Sequence, residues 1–546
     1  MLRTRRIDLA SADCFPDWLS MQNLRHYSAT SINMRNKQYS ITRNSLYNVL
    51  GWVIPIIVNF VSIPIIVAKL GYDQYGVWVL VMAVMGYFAL LDLGVVKGGI
   101  RFLAEYSAAN DMRRASQVIS LGFYAYLLIG LLGCGLTLLC TDPVLLPLIK
   151  LPDELHDLAR QVFHLAAFGF LVTMLQTYML SLPQAVHRFD ISNKVDTANQ
   201  ILTTAATVIA LSLGFGLVSI IVIRIVGSIL CCASLYHALK KCLPDLRLTI
   251  RFDQGLARMV FSYSLVSFVG RLGTTTANHL QTIVIGSILG TTAVTIFSVP
   301  FQLISRVMSL SYRLSMVIFP ISSELGAGEA NLKRLHEIYL TMGRNIFFLN
   351  IMQVVLFSLF SWDLLSLWMG RDFADKSSLI LTLLAIGVFF DSLTNLPSQI
   401  CDGLSHPRIT STFAFIRGAI GILFVLIGGH VAGVLGVAAG FTLSCIIMSL
   451  AFNIYVHPRI IKLSMVKVAL SYAEITVFGL LVLASFIPLT VFKPRETLDV
   501  AAFLLKGSAA GLAFCLYGYA RLLDGERKRQ LHSQLGLMLR KAVSAK

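Results

Sequence analysis

The feature that most constrains this chain is a long series of apolar segments. A helix needs about 20 apolar residues to cross a hydrocarbon core of about 30 Å. The sequence therefore predicts an all-α, polytopic membrane protein with about 14 transmembrane helices. The predicted spans lie at residues 45–68, 75–93, 117–139, 162–182, 197–213, 217–239, 259–288, 293–319, 337–361, 378–399, 411–428, 431–455, 466–490 and 498–520.

Composition agrees with a membrane class. The chain is 56% hydrophobic and only 13% charged, and a soluble protein this apolar would expose large patches. The nine cysteines lie mostly in apolar segments and form no CxxC motif, which indicates buried side chains and not disulfides or metal ligands. We expect no cofactor and no metal site.

The positive charge has an uneven distribution along the chain. Most of the 45 lysines and arginines fall on the side of the predicted membrane that holds both termini, and few, such as Lys69, Lys150 and Arg160, fall on the other. The positive-inside rule then predicts N-in, C-in topology. The net charge of +17 is explained without nucleic acid, and we expect contact with anionic membrane lipids.

The same sequence pattern occurs twice. Residues 63–80 and 282–299 both run to a Leu-Gly step, at Leu70-Gly71 and at Leu289-Gly290, which are 219 positions apart. The same shift aligns polar positions of spans 1 and 7, including Asn59 with Asn278, so that each span carries a polar helical stripe. Interhelical hydrogen bonding explains any single polar residue. Two matched stripes favour an aqueous cavity between repeats.

These repeats predict the domain organisation. We expect two pseudo-symmetric six-helix lobes with two extra C-terminal helices, related by an axis along the membrane normal and suited to alternating access. Translation starts at Met1 or at Met34, and no cleavable signal peptide precedes the first span. The predicted segments are a cytoplasmic tail (1–44), an N-lobe (45–239), a cytoplasmic linker (240–258), a C-lobe (259–455), spans 13 and 14 (456–520) and a basic cytoplasmic tail (521–546).

Three stretches carry a family resemblance. LGYDQYGVWVL (70–80), LLDLGVVKGGIRF (90–102) and VIFPISSELGAGEANLKRLH (317–336) resemble bacterial polysaccharide-transport flippases of the multidrug/oligosaccharidyl-lipid/polysaccharide exporter superfamily. The resemblance implies a multi-pass protein of the bacterial inner membrane. Its substrate would be a polyprenyl-pyrophosphate-linked oligosaccharide, such as an O-antigen, capsule or exopolysaccharide repeat unit. Resemblance to the lipid II flippase further implies a groove for the lipid tail at spans 13 and 14.

Partners follow from the same resemblance. We expect the lipid-linked oligosaccharide, membrane lipids and polysaccharide polymerase or assembly proteins as partners, and a monomer as the working unit. The sugar sequence and the coupling ion, whether H⁺, Na⁺ or none, stay open.

Arginines inside predicted spans are the main candidates for substrate binding. Placing an arginine at mid-bilayer costs about 2.5–3.5 kcal/mol on insertion scales, and its guanidinium binds phosphate oxygens bidentately. Structural ion pairs and snorkelling are the alternatives for these arginines, and Lys97 and Arg101 also suit positive-inside anchors. The predicted substrate-binding residues are Arg271, Arg306, Arg313, Arg224, Arg417, Asn59, Asn278, Lys97 and Arg101.

A few titratable side chains in the spans are candidates for a coupling ion. Asp92, Asp391, Glu474 and His279 would suit this role if burial shifted their protonation. The alternatives are a buried pair, a helix cap for Asp92 and an ordinary helix contact for His279.

Other functions are less compatible with these residues. The chain has no GxxxxGK[ST] motif and only short outward loops, of which 140–161 and 361–377 are the longest, so we expect no enzyme and no catalytic residues. The competing hypothesis is a cation-coupled multidrug antiporter of the same superfamily. That function calls for acids in the cavity, whereas this chain offers mostly arginines and amides.

Overall fold

A computed structural model of the chain describes residues 34–92, 99, 102–103, 105–106, 111–185, 188–242, 279–326, 329–491 and 500–522. This part of the chain is helical and contains no β-strand. Apart from the single turn Leu146–Leu148, the α-helices are α1 (Met34–Phe88), α2 (Met112–Cys140), α3 (His156–Ala185), α4 (Phe189–Ser212), α5 (Leu217–Cys242), α6 (Gln281–Leu289), α7 (Thr291–Ser315), α8 (Ile318–Leu325), α9 (Glu329–Met369), α10 (Arg371–Ser392), α11 (Asn395–Gly403), α12 (Pro407–Val456), α13 (Met465–Val491) and α14 (Val500–Tyr517).

The helices are membrane-spanning in length and composition. Within the described residues, 10 helical segments are long and apolar enough to cross a membrane. Their outer faces carry large apolar side chains, and Leu139 and Val431 are 75% and 80% exposed. Such surfaces are compatible with lipid but not with water. The all-helical membrane class is therefore confirmed, whereas the count of about 14 spans and the N-in, C-in topology stay predictions.

Glycines with positive φ separate consecutive helices. Gly71 (φ 77°) breaks α1, and Gly290 (φ 86°) separates α6 from α7, so both predicted Leu-Gly ends are confirmed. Gly214 (φ 90°) and Gly433 (φ 59°) form a second pair with the same 219-residue spacing. Only glycine adopts this backbone region without a steric penalty, so a single glycine sets the position of each of these turns.

Helix packing repeats in the same order. In the first half of the chain (α1–α5), α2 packs on α3, α3 on α5, and α1 on α4. In the second half (α6–α12), α9 packs on α10, α10 on α12, and α6 on α12. The two halves meet where α1 contacts α6 and α7.

The last two helices pack against the second half. Helices α13 and α14 contact α9, and Phe478 of α13 stacks on Tyr517 of α14 with ring centroids 4.1 Å apart. Phe348 of α9 completes the cluster by stacking on Tyr517 at 5.9 Å. This aromatic packing anchors two helices whose other faces are largely exposed.

Several helices extend beyond the predicted membrane spans. Helix α1 begins at Met34 and α4 at Phe189, earlier than residues 45 and 197. The predicted outward loop 361–377 is helical apart from a break at Gly370. Hydropathy treats this polar segment as a loop, but Lys376 pairs with Asp372 at 2.8 Å, four residues earlier on the same helix, and such pairs stabilise helices.

Candidate functional site at the junction of the two halves

The halves are joined at the Gly71 end of the bundle by hydrogen bonds to one carboxylate. Asp73, just after the break in α1, accepts hydrogen bonds of 2.6 Å from the hydroxyls of Thr291 and Thr292 at the start of α7. The Thr295 hydroxyl donates to the carbonyl of Tyr72 at 2.6 Å. Bonds to an ionised acceptor are stronger than neutral ones, so this contact holds the helix starts together.

The junction has approximate two-fold symmetry. A Cβ on Gly76 would collide with the carbonyl oxygen of Thr291, so the backbones touch there. In the 219-residue alignment, Gly76 corresponds to Thr295 and Thr291 corresponds to Tyr72. The contact Gly76–Thr291 therefore corresponds to the contact Thr295–Tyr72, in which the Thr295 hydroxyl donates to the Tyr72 carbonyl. Surfaces that exchange in this way are typical of isologous, two-fold interfaces.

Polar contacts close the rim of this end. The Lys150 ammonium of the first half donates to the Ile288 carbonyl of the second at 2.7 Å. The Tyr72 hydroxyl donates to the Asp372 carboxylate at 2.9 Å. The halves are thus bridged on more than one side at the Gly71 end.

A tryptophan satisfies a backbone carbonyl that a proline leaves free. Pro64 has no N–H, so the carbonyl of Phe60, four residues earlier in α1, lacks its helical partner. The Trp368 indole at the end of α9 donates to that carbonyl at 2.6 Å. The same indole stacks on the Phe60 ring with centroids 4.8 Å apart, which adds a second contact between the halves.

Two candidate arginines lie on helices of opposite halves. Arg224 of α5 is exposed, and its guanidinium lies 6.0 Å from the ring centroid of Trp78 in α1. Trp78 packs edge-on against Tyr75, whose hydroxyl faces Gln302 of α7. Arg306 follows Gln302 by one helical turn and so lies on the same face of α7.

The exposure of α7 changes along its length. Residues 293–295 and 297–300 are buried near the Gly71 end, whereas Arg306 and residues 312–314 are exposed. Arg306 and Arg313 are seven residues apart and share one face. Within the described chain, no carboxylate pairs with Arg224 or Arg306. A guanidinium in this setting presents its N–H donors to an anion.

Arg417 has a different environment. Its guanidinium pairs with the Asp391 carboxylate at 2.7 Å, across α12 and α10, and contacts the Cys445 sulfur at 3.8 Å. The side chains are 28% and 30% exposed. The structure thus joins a predicted substrate-binding arginine and a predicted coupling carboxylate in one ion pair.

The other candidates lie apart. Asn59 is exposed on α1, and its amide donates to the Pro55 carbonyl of the same helix at 2.7 Å. His279 lies against Gly86 of α1 at the contact between the halves. Glu474 of α13 pairs with Arg521 at 3.2 Å, away from the junction.

Five predicted site residues cannot be placed in this geometry. Lys97, Arg101, Arg271 and Asn278 lie outside the described residues, and of Asp92 only the backbone, at the end of a short turn, is described. In the part of the chain that is described, no group of three His, Cys, Asp or Glu side chains is arranged to hold a metal ion.

Sequence reasoning missed the residues that join the halves. Asp73 and Trp368 were not among the candidates, although Asp73 lies in the stretch LGYDQYG after the first Leu-Gly step. The 219-residue shift that aligns the repeats also aligns Asp73 with Thr292. Equivalent positions of two repeats can touch at the two-fold axis that relates them. The alignment of Asp73 with Thr292 was therefore the sequence signal that could have identified this pair.

This chain is similar in sequence to known polysaccharide-related proteins. The sequence profile of the polysaccharide biosynthesis protein family matches residues 41–326. An O-antigen transporter of Shigella flexneri is 22% identical over 418 residues, which cover 75% of this chain and 96% of the relative.

Solved structures share the fold at low identity. The lipid II flippase MurJ in an inward closed conformation has a TM-score of 0.68 at 15% identity, covering 88% of this chain and 100% of that chain. An inward-facing multidrug resistance transporter of the MATE family has a TM-score of 0.66 at 16% identity, covering 76% and 98%.

Together, the apolar helices and the matched family make this chain a multi-pass protein of the bacterial inner membrane. The family profile covers more than half of its length, and both solved neighbours share its fold. The chain belongs to the polysaccharide biosynthesis protein family.

Proposed function

We propose that this protein moves a polyprenyl-pyrophosphate-linked oligosaccharide from the inner to the outer leaflet by alternating access. Arg306 and Arg224 hold the pyrophosphate between two six-helix lobes, joined by Arg271 from the undescribed part of the chain. The observation that carries this proposal is a pair of arginines, one from each half, that have no carboxylate partner among the described residues.

The chemistry of the pair suits this head group. Guanidinium stays charged at any physiological pH and binds phosphate oxygens in a planar, bidentate manner. A pyrophosphate offers several anionic oxygens, so arginines from two sides hold it better than one. The same charge repels cationic drugs.

The Gly71 end is the outer end under the predicted N-in topology. The bonds of Asp73 and Lys150 close the junction there, while α7 becomes accessible toward the other end. This arrangement supports loading from the inner leaflet, followed by rearrangement that breaks the outer contacts. Transport of this kind makes and breaks no covalent bond in the substrate, and one chain contains both halves.

The antiporter alternative requires an unneutralised acid. Asp391 and Glu474 are each paired with an arginine. Asp196 of α4 is half-buried and accepts a hydrogen bond from Gln200 at 2.8 Å, so it is one carboxylate that is available to such an antiporter.

The experiment is a binding titration on purified protein, with a polyprenyl-pyrophosphate saccharide and a cationic dye as ligands. The Arg306→Gln variant is expected to weaken lipid binding at least tenfold, and Arg306→Lys less so because the charge remains. Arg334→Gln is the matched control, because Arg334 is an exposed arginine on α9 away from the junction.

The outcomes separate the two functions. Lipid binding that is equal in Arg306→Gln and in the unmodified protein overturns the proposed site. Binding of the dye alone, abolished by Asp196→Asn, overturns the flippase proposal in favour of the antiporter.

A further inference from the structure

Two helical segments at the junction are enclosed by the rest of the protein. No residue at positions 72–88 of α1, and none at positions 291–305 of α7, is exposed. Helix α2 differs, because it carries exposed apolar side chains such as Leu128 and Leu139. The two enclosed segments therefore lack the lipid-facing surface that α2 presents. Partly accessible side chains on them indicate space within the protein.

Trp78 is one of these partly accessible side chains. Its ring is half-buried, and the Tyr75 ring packs edge-on against it with centroids 5.3 Å apart. Tyr75 is 1% exposed, and its hydroxyl forms a hydrogen bond with the Gln302 side chain of α7. These contacts hold the indole in place, and a ring that is already fixed loses less entropy when it binds a ligand.

Arg224 lies next to the same indole. Its guanidinium is 6.0 Å from the Trp78 ring centroid, and the side chain is accessible although protein atoms surround it. The exposed apolar residues Val222 and Val226 lie two positions away on either side, and so on the opposite face of α5. Arg224 therefore faces the interior of the bundle and not the face that these valines expose.

A polar stripe follows α7 on the side that contacts α1. Its members, three or four residues apart, are Thr295, Ser298, Gln302 and Arg306. Bonds of Thr295 to the Tyr72 carbonyl and of Gln302 to the Tyr75 hydroxyl show that this face is turned toward α1. The stripe is enclosed as far as Gln302 and exposed at Arg306.

Two buried polar atoms on these segments have no hydrogen-bond partner within the part of the chain that the structure describes. They are the indole nitrogen of Trp78 and the hydroxyl of Ser298, a residue that is 4% exposed. Buried polar groups are nearly always paired in folded proteins, because an unpaired group costs free energy. A ligand that carries hydroxyl groups can supply the missing partners.

We propose that Trp78 and Gln302 form a sugar subsite, in which the indole stacks on the first sugar of the lipid-linked oligosaccharide. The inference rests on the proposed function and deepens it. The first sugar is bonded directly to the pyrophosphate, so a phosphate held by Arg224 places this sugar beside the neighbouring indole. The C–H face of a sugar ring is apolar and packs on an aromatic ring, while an amide bonds its hydroxyls.

Other ligands suit these residues less well. A hydrocarbon chain would leave the Gln302 amide and the Ser298 hydroxyl without new partners, and burial of unpaired polar groups is unfavourable. A cationic dye stacks on an indole as well as a sugar does, but Arg224 beside the ring repels its charge. A neutral ring with hydroxyl groups, next to a phosphate, matches the whole set.

The test is a binding titration on the full-length protein with two lipids that differ by one sugar. They are polyprenyl-pyrophosphate N-acetylglucosamine and bare polyprenyl pyrophosphate. The unmodified protein is expected to bind the glycosylated lipid at least tenfold more tightly. Trp78→Leu is expected to lose this preference and to bind the bare lipid as before. Trp78→Phe should keep part of the preference, because a ring remains.

Trp362→Leu is the matched control. Trp362 is also a half-buried tryptophan, but it lies on α9, and its indole donates to the Asp375 carboxylate at 2.7 Å. This variant is expected to change neither affinity. Gln302→Leu is expected to reduce the preference about threefold, because it removes bonds to the sugar hydroxyls and leaves the indole in place.

Tryptophan fluorescence gives a second readout that needs only conservative variants. The glycosylated lipid is expected to change the emission of the unmodified protein and of Trp362→Phe, but not that of Trp78→Phe. This readout stands even if Trp78→Leu fails to fold.

Several outcomes overturn the sugar subsite. They are no preference for the glycosylated lipid in the unmodified protein, a preference that Trp78→Leu retains, an equal loss of both lipids in Trp78→Leu, and an equal emission change with the bare lipid. If Arg306→Gln weakens binding of both lipids in any of these cases, the proposed function stands and only the subsite is rejected. If Arg306→Gln weakens neither, the phosphate site is rejected, whereas a preference that depends on Trp78 still supports the subsite.

Discussion

The Asp73 carboxylate accepts a 2.6 Å hydrogen bond from Thr292, the residue 219 positions later in the chain. Gly71 and Gly290 share this spacing and the same positive φ. Two positions that correspond in a repeat can touch only near the axis that relates the repeats. The Asp73–Thr292 bond therefore lies close to the local two-fold axis of the junction.

Removal of the Asp73 carboxylate is expected to open the Gly71 end. Asp73→Ala deletes two hydrogen bonds to a charged acceptor, each worth about 1.5–3 kcal/mol. Val77 is 1% exposed and directly follows Gly76, whose backbone touches that of Thr291. A cysteine at position 77 should therefore react with a membrane-impermeant maleimide at least tenfold faster in Asp73→Ala, as measured by peptide mapping.

Asp142→Ala is the control for this experiment, because Asp142 pairs with Arg160 inside the first half. Equal labelling in Asp73→Ala and the parent would show that the carboxylate does not hold the junction closed.

The Trp368 indole is expected to stabilise α1 through one hydrogen bond. Trp368→Phe keeps a ring against Phe60 but removes the donor to its carbonyl. Because Pro64 has no N–H to donate, the Phe60 carbonyl is then left without a partner. We expect a loss of about 1–2 kcal/mol in the free energy of unfolding. Thermal unfolding in detergent measures this change.

Trp362→Phe provides the comparison, since its indole donates to the exposed Asp375 carboxylate, which water can replace. If both variants unfold at the same temperature, the Phe60 carbonyl has another partner and the assignment is wrong.

The Arg417–Asp391 pair is expected to show strong coupling in a double-mutant cycle. Asp391→Asn leaves the guanidinium without its partner. Because both side chains are partly exposed, we expect a loss of about 2 kcal/mol, below the 3–5 kcal/mol of a fully buried pair. The double variant Asp391→Asn/Arg417→Gln should regain most of this lost free energy of unfolding.

The exposed pair of Arg160 with Asp157 should show coupling of only about 0.3–0.5 kcal/mol in the same cycle. A transport assay on the double variant adds a functional readout. If Asp391 carries the coupling ion, transport is lost even where stability returns.

Acidification is expected to weaken the start of α4. The hydrogen bonds from the Arg188 guanidinium hold the pKa of Asp190 below its ordinary value. This carboxylate therefore contributes stability above the unfolded-state pKa of about 3.9, and the contribution is lost as pH falls from there through the lower folded-state pKa. Thermal unfolding across that range measures the loss.

Asp190→Asn should be less stable than the parent at neutral pH and should lose less on acidification. A parallel decline of both proteins with falling pH would assign the acid sensitivity to other carboxyl groups.

Local pattern predicted the backbone features of this protein well. Apolar segments indicated the helices because only helices satisfy their backbone groups within a bilayer. Leu70-Gly71 and Leu289-Gly290 marked helix ends because glycine at positive φ is a property of single positions. The stretches LGYDQYGVWVL and LLDLGVVKGGIRF indicated the family, which the profile over residues 41–326 confirms.

Side-chain partners were decided by the tertiary structure alone. Hydropathy identifies a helix but not its rotation or crossing angle, and these set whether a carboxylate faces a guanidinium. Asp391 and Arg417 were therefore assigned separate roles from the sequence, and the structure joins them. Trp368 reaches Phe60, 308 positions away, only because α9 ends beside the carbonyl that Pro64 leaves free.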